Sequence, residues 1–272
     1  MVRSLWTAAT GMRAQQTNVD TIANNLSNVN TTGYKTEVNE FKSLLYQTIQ
    51  TKTTSANGGN KPVGAQVGLG VRNASVTSIF TDGALLASES DSAFALSGNG
   101  FFAVKGEDGN TYYTRNGNFN WAMNSGGGVC LTNSDGLMVL DSKGKEISFN
   151  SDYVTSKITV TSDGTFCYPD ENNNPQSLGI TFGIYQFNNP AGLEKNDSGL
   201  FSQTAASGAA LNEANDTTLE RTKVSQGYLE GSNVQVVDEM VNLITAQRAY
   251  ELNSKAITAS DEMLQQANNL RS

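Results

Sequence analysis

Apolar residues recur every seven positions at both ends of this chain, and that repeat limits the fold more than any other feature of the sequence. Over residues 4–29, one seam position holds Leu5, Met12, Val19 and Leu26, and the other holds Ala8, Gln15, Ile22 and Val29. Such a heptad predicts an amphipathic helix whose narrow stripe packs on another helix. Because the stretch is rich in Thr, Asn, Val and Ile, each about 0.5 kcal/mol worse than Ala in a helix, we expect it to fold only when a partner covers the stripe.

A second heptad near the C-terminus supplies a candidate partner. Its seam holds Leu243, Tyr250, Ile257 and Leu264, beside a small-residue edge of Ala246, Ser260 and Ala267 that Asn253 interrupts. The helix is predicted to begin near Asn233, with Asp238 and Glu239 in its early turns, where negative charge suits the helix dipole. Two such helices predict a terminal coiled coil spanning residues 1–30 and 233–272. The alternative is that both stripes pack on the central region.

Between the helices the sequence predicts short antiparallel strands. Asp-Gly pairs, which suit the positive φ angles of tight hairpins, lie at residues 82–83, 108–109, 135–136 and 163–164. Alternation in residues 101–105 and 111–115 predicts a hairpin with aromatic pairs on one face. The predicted fold is therefore mixed: a mainly antiparallel β central region with a long amphipathic α-helix at each terminus.

A segment rich in Thr, Gly, Asn and Ser, residues 51–70 with a single Pro62, reads as a long extended loop. It suggests three parts for the whole chain. The terminal helices form one, residues 31–75 with 195–232 form a linking β part that carries the loop, and residues 76–194 form an outer β part.

Composition argues against most chemical functions. With 18 basic and 26 acidic residues, the net charge of −8 disfavours nucleic acid as a partner. Histidine is absent, which removes His-activated nucleophiles and a common metal ligand. Cys130 and Cys167 lie in strand-like settings and are predicted to be buried free thiols, with a disulfide as the alternative.

The remaining candidate sites are weak, and we expect no catalytic, cofactor or metal site. The acidic turn at residues 170–174 lacks the Gly and the bidentate Glu of a calcium loop. Glycine-rich segments lack the Lys-Ser/Thr of a phosphate loop, and Asp82, Glu89 and Asp91 are candidate carboxylates only because they cluster. No apolar run reaches the roughly 18 residues of a membrane span, and the N-terminus shows no cleavable signal peptide.

Five segments together resemble flagellar rod and hook proteins. They are residues 22–35 (IANNLSNVNTTGYK), 98–104 (GNGFFAV), 113–119 (YTR with Gly117 and Phe119), 226–234 (QGYLEGSNV) and 247–256 (QRAYELNSKA). They cover both ends and the middle of the chain in the family's order. The chain length and residues 3–6 (RSLW) and 44–49 (LLYQTI) are most similar to the distal-rod members of the family.

The resemblance implies a structural subunit that leaves the cell unfolded through the flagellar export apparatus, without a cleaved signal, and polymerises into a helical tube. In the family the paired ends line the tube and the β domains form its outside. The implied location is the basal body, in the cell envelope and periplasm. Implied partners are further copies of the chain, other rod and hook proteins and, where there is an outer membrane, ring proteins that act as a bushing.

The resemblance also assigns roles to residues. The two seams defined above become assembly contacts, and the long loop, with Asn57, Asn60 and Pro62, is expected to reach neighbouring subunits and stiffen the rod. The alternatives are a hook or proximal rod subunit, a secreted enzyme, and a carbohydrate-binding adhesin that uses Trp121, Tyr112 and Tyr113 as a platform.

Overall fold

A computed structural model of the protein describes residues 2–50, 64–124, 127–150, 153–170, 174–216 and 218–270. The chain divides into two compact units. The first comprises Met1–Ser27, Glu37–Ser78 and Gln235–Ser272, and the second comprises Asn28–Thr36 and Ile79–Val234. The three-part division expected from the sequence stays a prediction.

The first unit holds both terminal helices and two pairs of antiparallel strands. Its elements are α1 (Val2–Ser27), β1 (Glu37–Ser43), β2 (Tyr46–Gln50), β3 (Ala65–Gly68), β4 (Val71–Ser78) and α2 (Val236–Asn269). Strand β1 pairs with β4, and β2 pairs with β3. The two long helices predicted from the heptads are confirmed, and α2 carries Asp238 and Glu239 in its first turn as expected.

Within the segment predicted as a loop, residues 51–70, residues 65–68 form strand β3. Its partner β2 also has strand geometry, with Tyr46 opposite Gly68 and Thr48 opposite Gln66. Alternation of side chains is weak here, which is why the sequence reads as a loop. Asn57, Asn60 and Pro62 lie outside the described residues.

The second unit is built from antiparallel strands. They are β5 (Leu85–Ala87), β6 (Phe94–Ser97), β7 (Phe101–Lys105), β8 (Thr111–Thr114), β9 (Asn120–Met123), β10 (Val129–Thr132), β11 (Met138–Val139), β12 (Ser148–Phe149), β13 (Thr159–Val160), β14 (Thr165–Pro169), β15 (Pro175–Thr181), β16 (Ile184–Gln186), β17 (Glu194–Lys195), β18 (Leu200–Ser202), β19 (Leu211–Asn212), β20 (Lys223–Gln226) and β21 (Tyr228–Glu230). Ten of these strands share one sheet that contains β7 and β8. The predicted antiparallel β region is confirmed.

The predicted hairpin of β7 and β8 is present, with Ala103 opposite Tyr113. Its aromatic residues are not on one face, however. Phe101 and Tyr113 both pack against Phe187 on one side of the sheet, whereas Phe102 packs against Phe119 on the other. The expectation of a one-sided hairpin is wrong because β7 is a central strand with hydrophobic cores on both faces.

Three of the four Asp-Gly pairs form the predicted turns. Gly109, Gly136 and Gly164 have φ angles of 80°, 83° and 76°, and each lies between two paired strands. The pair at Asp82 and Gly83 lies between β4 and β5, which do not pair with each other, so no hairpin forms there.

Cys130 and Cys167 are buried free thiols, as predicted. Burial raises the pKa of the Cys130 thiol above its ordinary value. Because the thiolate is the reactive form, this shift lowers the reactivity of Cys130.

Candidate assembly surface

The carboxylate of Glu230, in β21, is deeply buried in the second unit. Its side chain is 1% exposed. Lys35 Nζ donates to its Oε1 at 2.6 Å, and Arg115 Nε donates to its Oε2 at 3.0 Å. The backbone N–H of Gly83 adds a third donor at 3.0 Å. A buried carboxylate is stable only when it is paired and hydrogen-bonded in this way.

We call Glu230, Lys35 and Arg115 the ionic junction. Its two cations also donate hydrogen bonds to other groups. Arg115 spreads its guanidinium over Glu230, Asp82 and the backbone oxygens of Gly98 and Gly100. Lys35 also donates to the backbone oxygen of Thr81 at 2.6 Å. Burial lowers the pKa of Lys35, the positive charge of Arg115 lowers it further, and Glu230 acts in the opposite direction.

The junction explains the unusual Asp82-Gly83 pair. A Cβ at Gly83 would overlap the backbone oxygen of Gly231, so only glycine allows the chain to pass close to β21. Asp82 itself binds Arg115 at 2.7 Å. This carboxylate, one of the catalytic candidates weighed in the sequence, therefore pairs with the junction.

The side chain of Asn233 ties together three stretches of the second unit. Its Oδ1 accepts from the backbone N–H of Thr36 at 2.7 Å, and its Nδ2 donates to the backbone oxygen of Ile79 at 2.9 Å. Nearby, the N–H of Gly33 donates to the backbone oxygen of Glu230 at 2.8 Å. The segment that follows α1 is thereby fastened to the segment that precedes α2.

In the first unit, α1 and α2 run antiparallel and touch through small residues. Ser4 Oγ lies 3.3 Å from Ser260 Oγ, and a Cβ at Gly11 would lie 2.9 Å from Asn253 Nδ2. Seven residues separate each contact from the next on both helices, so the helix contact keeps the predicted heptad spacing. Ala246, which is 2% exposed, lies on the same face of α2.

The residues at the centre of this contact are not the ones that the heptads predicted. On α2 the buried residues of the small-residue edge are Ala246 and Ser260, whereas Ala267 is exposed. Of the predicted seam, Leu243, Ile257 and Leu264 are half-buried and Tyr250 is 42% exposed. On α1 the deepest predicted residues are Ala8 and Ile22, whereas Leu5, Met12, Val19 and Leu26 are half-buried. The physical reason is that small side chains allow close approach of the two helices, and larger ones then lie at the flanks.

Val29, the last predicted seam residue, lies beyond the end of α1 in the second unit and is half-buried. A role for these seam residues in contacts between copies stays a prediction.

Over its first turns, the side of α2 away from α1 is apolar and exposed. Val237, Met240, Val241 and Ile244 are 74%, 51%, 57% and 51% exposed. Their spacing of three, four and seven residues places them on one stripe, roughly opposite Glu239 and Ala246 at 100° per residue. We call these four residues the outer stripe of α2.

Exposed apolar residues concentrate in the first unit more generally. Among the described residues, 18 of the 24 exposed large hydrophobic side chains lie there. They include Tyr46 and Ile49 of β2, and Leu45, which directly precedes that strand. Large exposed apolar areas mark surfaces that another molecule covers.

The aromatic residues proposed for a carbohydrate platform do not share a surface. Tyr113 is buried between Phe187 and Tyr185. Tyr112 lies on the opposite face of the sheet, with its hydroxyl donating to Asp108 at 2.9 Å, and Trp121 packs against Phe149. The hypothesis of an adhesin platform at these residues is therefore wrong.

The described residues also bear on three other kinds of site: catalytic carboxylates, a metal site and a membrane-spanning helix. Glu89 and Asp91 are exposed, and no three His, Cys, Asp or Glu side chains among the described residues are placed to hold a metal ion. Of the calcium-loop candidate, residues 171–173 lie outside the described part of the chain. No helix of the described residues is long and apolar enough to cross a membrane.

Comparison with known proteins identifies the family. Residues 5–35 match the flagella basal body rod protein family, residues 95–168 the D1 domain of the flagellar hook proteins FlgE/F/G, and residues 225–270 the C-terminal domain of the FlgEFG basal body rod proteins. The chain thus belongs to the flagellar rod and hook proteins.

Full-length relatives specify its place in that family. The flagellar basal-body rod protein FlgG of Borreliella burgdorferi is 44% identical, with 100% of this chain and 99% of the relative covered. FlgG of Agrobacterium fabrum is 44% identical over 96% of this chain and 97% of the relative, and FlgG of Bacillus subtilis is 36% identical over 100% of both. The chain is a structural subunit of the flagellar basal-body rod, as the resemblance implied.

The sequence motifs did not predict the ionic junction, although Lys35, Arg115 and Glu230 lie in segments that carry the family resemblance. Lys35 ends the first of these segments, Arg115 ends the YTR motif, and Glu230 and Asn233 lie in the fourth. A charged residue within a motif of otherwise uncharged residues was the signal in the sequence that could have predicted a buried ion pair.

Replacing Glu230 with Gln should destabilise the second unit strongly. The change leaves Lys35 and Arg115 buried without their shared counter-charge, so we expect the free energy of unfolding to fall by about 3–5 kcal/mol. Urea unfolding followed by Trp121 fluorescence, in a chain whose other tryptophan, Trp6, is replaced by Phe, measures this unit. Glu146→Gln is the control, because its ion pair with Lys105 is solvent-exposed and should contribute about 1 kcal/mol or less. Equal, small losses in the two variants would contradict a junction that holds the unit together.

Proposed function

We propose that the chain polymerises into the rigid distal rod, the shaft that transmits motor torque to the hook, and that its two terminal helices form coiled-coil contacts with neighbouring copies along the tube. The observation that carries this proposal is the outer stripe of α2. Fully burying a Val, Ile or Met side chain is worth about 1.5–3 kcal/mol. A stripe of four exposed apolar residues on a helix already paired on its other side favours a helix of another copy as its cover.

Family membership supports the rest of the assembly. The relatives are named as basal-body rod proteins, which favours the rod over the hook as the position of this chain. Other rod and hook proteins at the two ends of the polymer, and ring proteins around it in cells with an outer membrane, are the partners we propose.

Export as an unfolded chain fits the helix pair. The contact between α1 and α2 uses small side chains and leaves many large ones exposed, so it supplies limited stability before assembly. We propose that the chain passes through the flagellar export apparatus with its N-terminus uncut, and that the helices gain their full stability when copies meet.

Charge placed in the outer stripe should block polymerisation and leave the second unit folded. For Ile244→Asp we expect at least a tenfold higher critical concentration for polymer formation, because a buried unpaired carboxylate is strongly unfavourable. Sedimentation of polymer over a concentration series measures it. Val154→Asp, at a residue of the second unit that is also 51% exposed, is the matched control. If Ile244→Asp polymerises at the wild-type concentration, the outer stripe is not an assembly contact.

The segment of residues 51–63 is proposed to stiffen the rod through contacts of Asn57, Asn60 and Pro62 with neighbouring copies. It connects β2 to β3, whose exposed apolar residues suggest that the whole hairpin meets another copy. We expect deletion of residues 51–63 to leave folding and export intact and to give bent polymers.

A Gly-Ser linker of the same length separates chain length from sequence. It should give bent polymers too, because it cannot make the proposed contacts, and the persistence length of polymers in electron micrographs measures the effect. Rods as straight as the wild type in both variants would show that the segment only connects two strands.

A further inference from the structure

An open cavity of about 340 Å³ lies in the first unit, where α1, β1 and α2 meet. Its walls include Asn18 of α1, Glu37 and Asn39 of β1, and Glu239 and Asn242 of α2. We call it the Glu239 cavity. It is separate from the outer stripe, because Glu239 lies on the face of α2 that carries Ala246.

Two buried side chains in this wall have polar atoms without hydrogen-bond partners. Glu239 is 8% exposed, and its Oε2 has no partner; Asn39 is 8% exposed, and neither its Oδ1 nor its Nδ2 has one. A buried polar group normally has a partner, and an unpaired carboxylate is the most unfavourable case. Something outside the described residues of this chain should therefore meet these atoms.

The other buried glutamates of the chain show how unusual this is. Glu230 receives Lys35, Arg115 and a backbone N–H. Glu213 receives the side-chain amide of Gln186 and both the N–H and the hydroxyl of Thr222. Each is satisfied within the chain, whereas Glu239 is left with a free carboxylate oxygen.

The missing partner should be a cation. Among the described residues that line the cavity, two are glutamates and none is Lys or Arg. The start of α2 favours negative charge, but no N–H reaches Glu239 Oε2. Water could supply hydrogen bonds to this wall but would not neutralise the charge.

Matching cations lie on the surface of the same unit. They are exposed, and none forms an ion pair with the described residues: Arg3, Arg13, Lys42, Arg72, Arg248 and Lys255. A pocket lined by two glutamates and basic side chains without ion pairs on the same subunit are complementary in charge, as a head-to-tail contact between copies requires.

We propose that the Glu239 cavity receives the cationic end of an Arg or Lys side chain from a neighbouring copy of this chain. Glu239 and Asn39 turn their side-chain oxygens toward this cation and accept hydrogen bonds from it, and the contact fixes the register between copies. This inference rests on the proposed polymerisation, and it adds a polar contact to the apolar one made by the outer stripe.

The test is Glu239→Gln, which keeps the shape of the side chain and removes its charge. We expect the critical concentration for polymerisation to rise at least tenfold, while the helix content of the monomer by circular dichroism stays the same or rises, because the monomer loses an unpaired buried charge. Glu251→Gln, at an exposed position on the same helix, should change neither quantity. If Glu239 acts only within its own chain, Glu239→Gln should lower both the helix content of the monomer and its ability to polymerise. That result overturns the proposal.

The donor is identified by replacing each of the six cations with Gln, alone and together with Glu239→Gln. One replacement should reproduce the polymerisation defect of Glu239→Gln and add nothing to it in the double variant. Additive effects for all six overturn the proposal. So does a chelator that raises the wild-type critical concentration to the Glu239→Gln value, because the cation is then a free metal ion.

A water-filled cavity predicts no effect of Glu239→Gln on polymerisation and also overturns the inference. In that case normal polymers of the variant leave the rod function intact. A wild-type chain that never polymerises contradicts the rod function, and this inference with it.

Discussion

The fastening of the two chain ends at Glu230 and Asn233 is the interaction on which the rest of the molecule depends. Glu230 and Asn233 lie in the stretch that precedes α2. They bind Lys35, Gly33 and Thr36, which lie in the stretch that follows α1. Fixing these two stretches side by side reduces the entropy lost when helices from opposite ends of a 272-residue chain pair with each other. The helix pair can then form with little apolar contact of its own.

The small apolar area of the helix contact has a consequence for assembly. Gly11, Ala246 and Ser260 permit close approach but bury little apolar area. The larger apolar side chains of α2 remain available on the outer stripe, and a buried carboxylate remains available in the Glu239 cavity. We infer that both kinds of group are completed by neighbouring copies, so that apolar contacts provide affinity and the charged contact provides register.

The sequence predicts the elements of this fold better than it predicts their contacts. The heptads correctly predict α1 and α2, and three Asp-Gly pairs correctly predict hairpins, because each signal depends on local chain geometry. The centre of the helix contact could not be predicted, since a heptad written with Leu, Met and Ile does not show that small residues will lie at the closest approach. The burial of β7 on both faces could not be predicted either. Phe101 and Phe102 point to opposite faces, and only the neighbouring strands determine that both faces are covered.

The ionic junction and the Glu239 cavity depend on long-range contacts, which a single sequence does not contain. Lys35, Arg115 and Glu230 lie 80 or more positions apart in the chain, and only the fold brings them together. Glu239 was read correctly as a helix-start residue, yet its unpaired oxygen is visible only when β1 is placed beside α2.

A cryo-electron microscopy map of the polymer formed by this chain tests the central claim most directly. The account predicts that Val237, Met240, Val241 and Ile244 of α2 are covered by a helix of a neighbouring copy. A straight polymer in which this stripe faces solvent, with the copies in contact elsewhere, would contradict it.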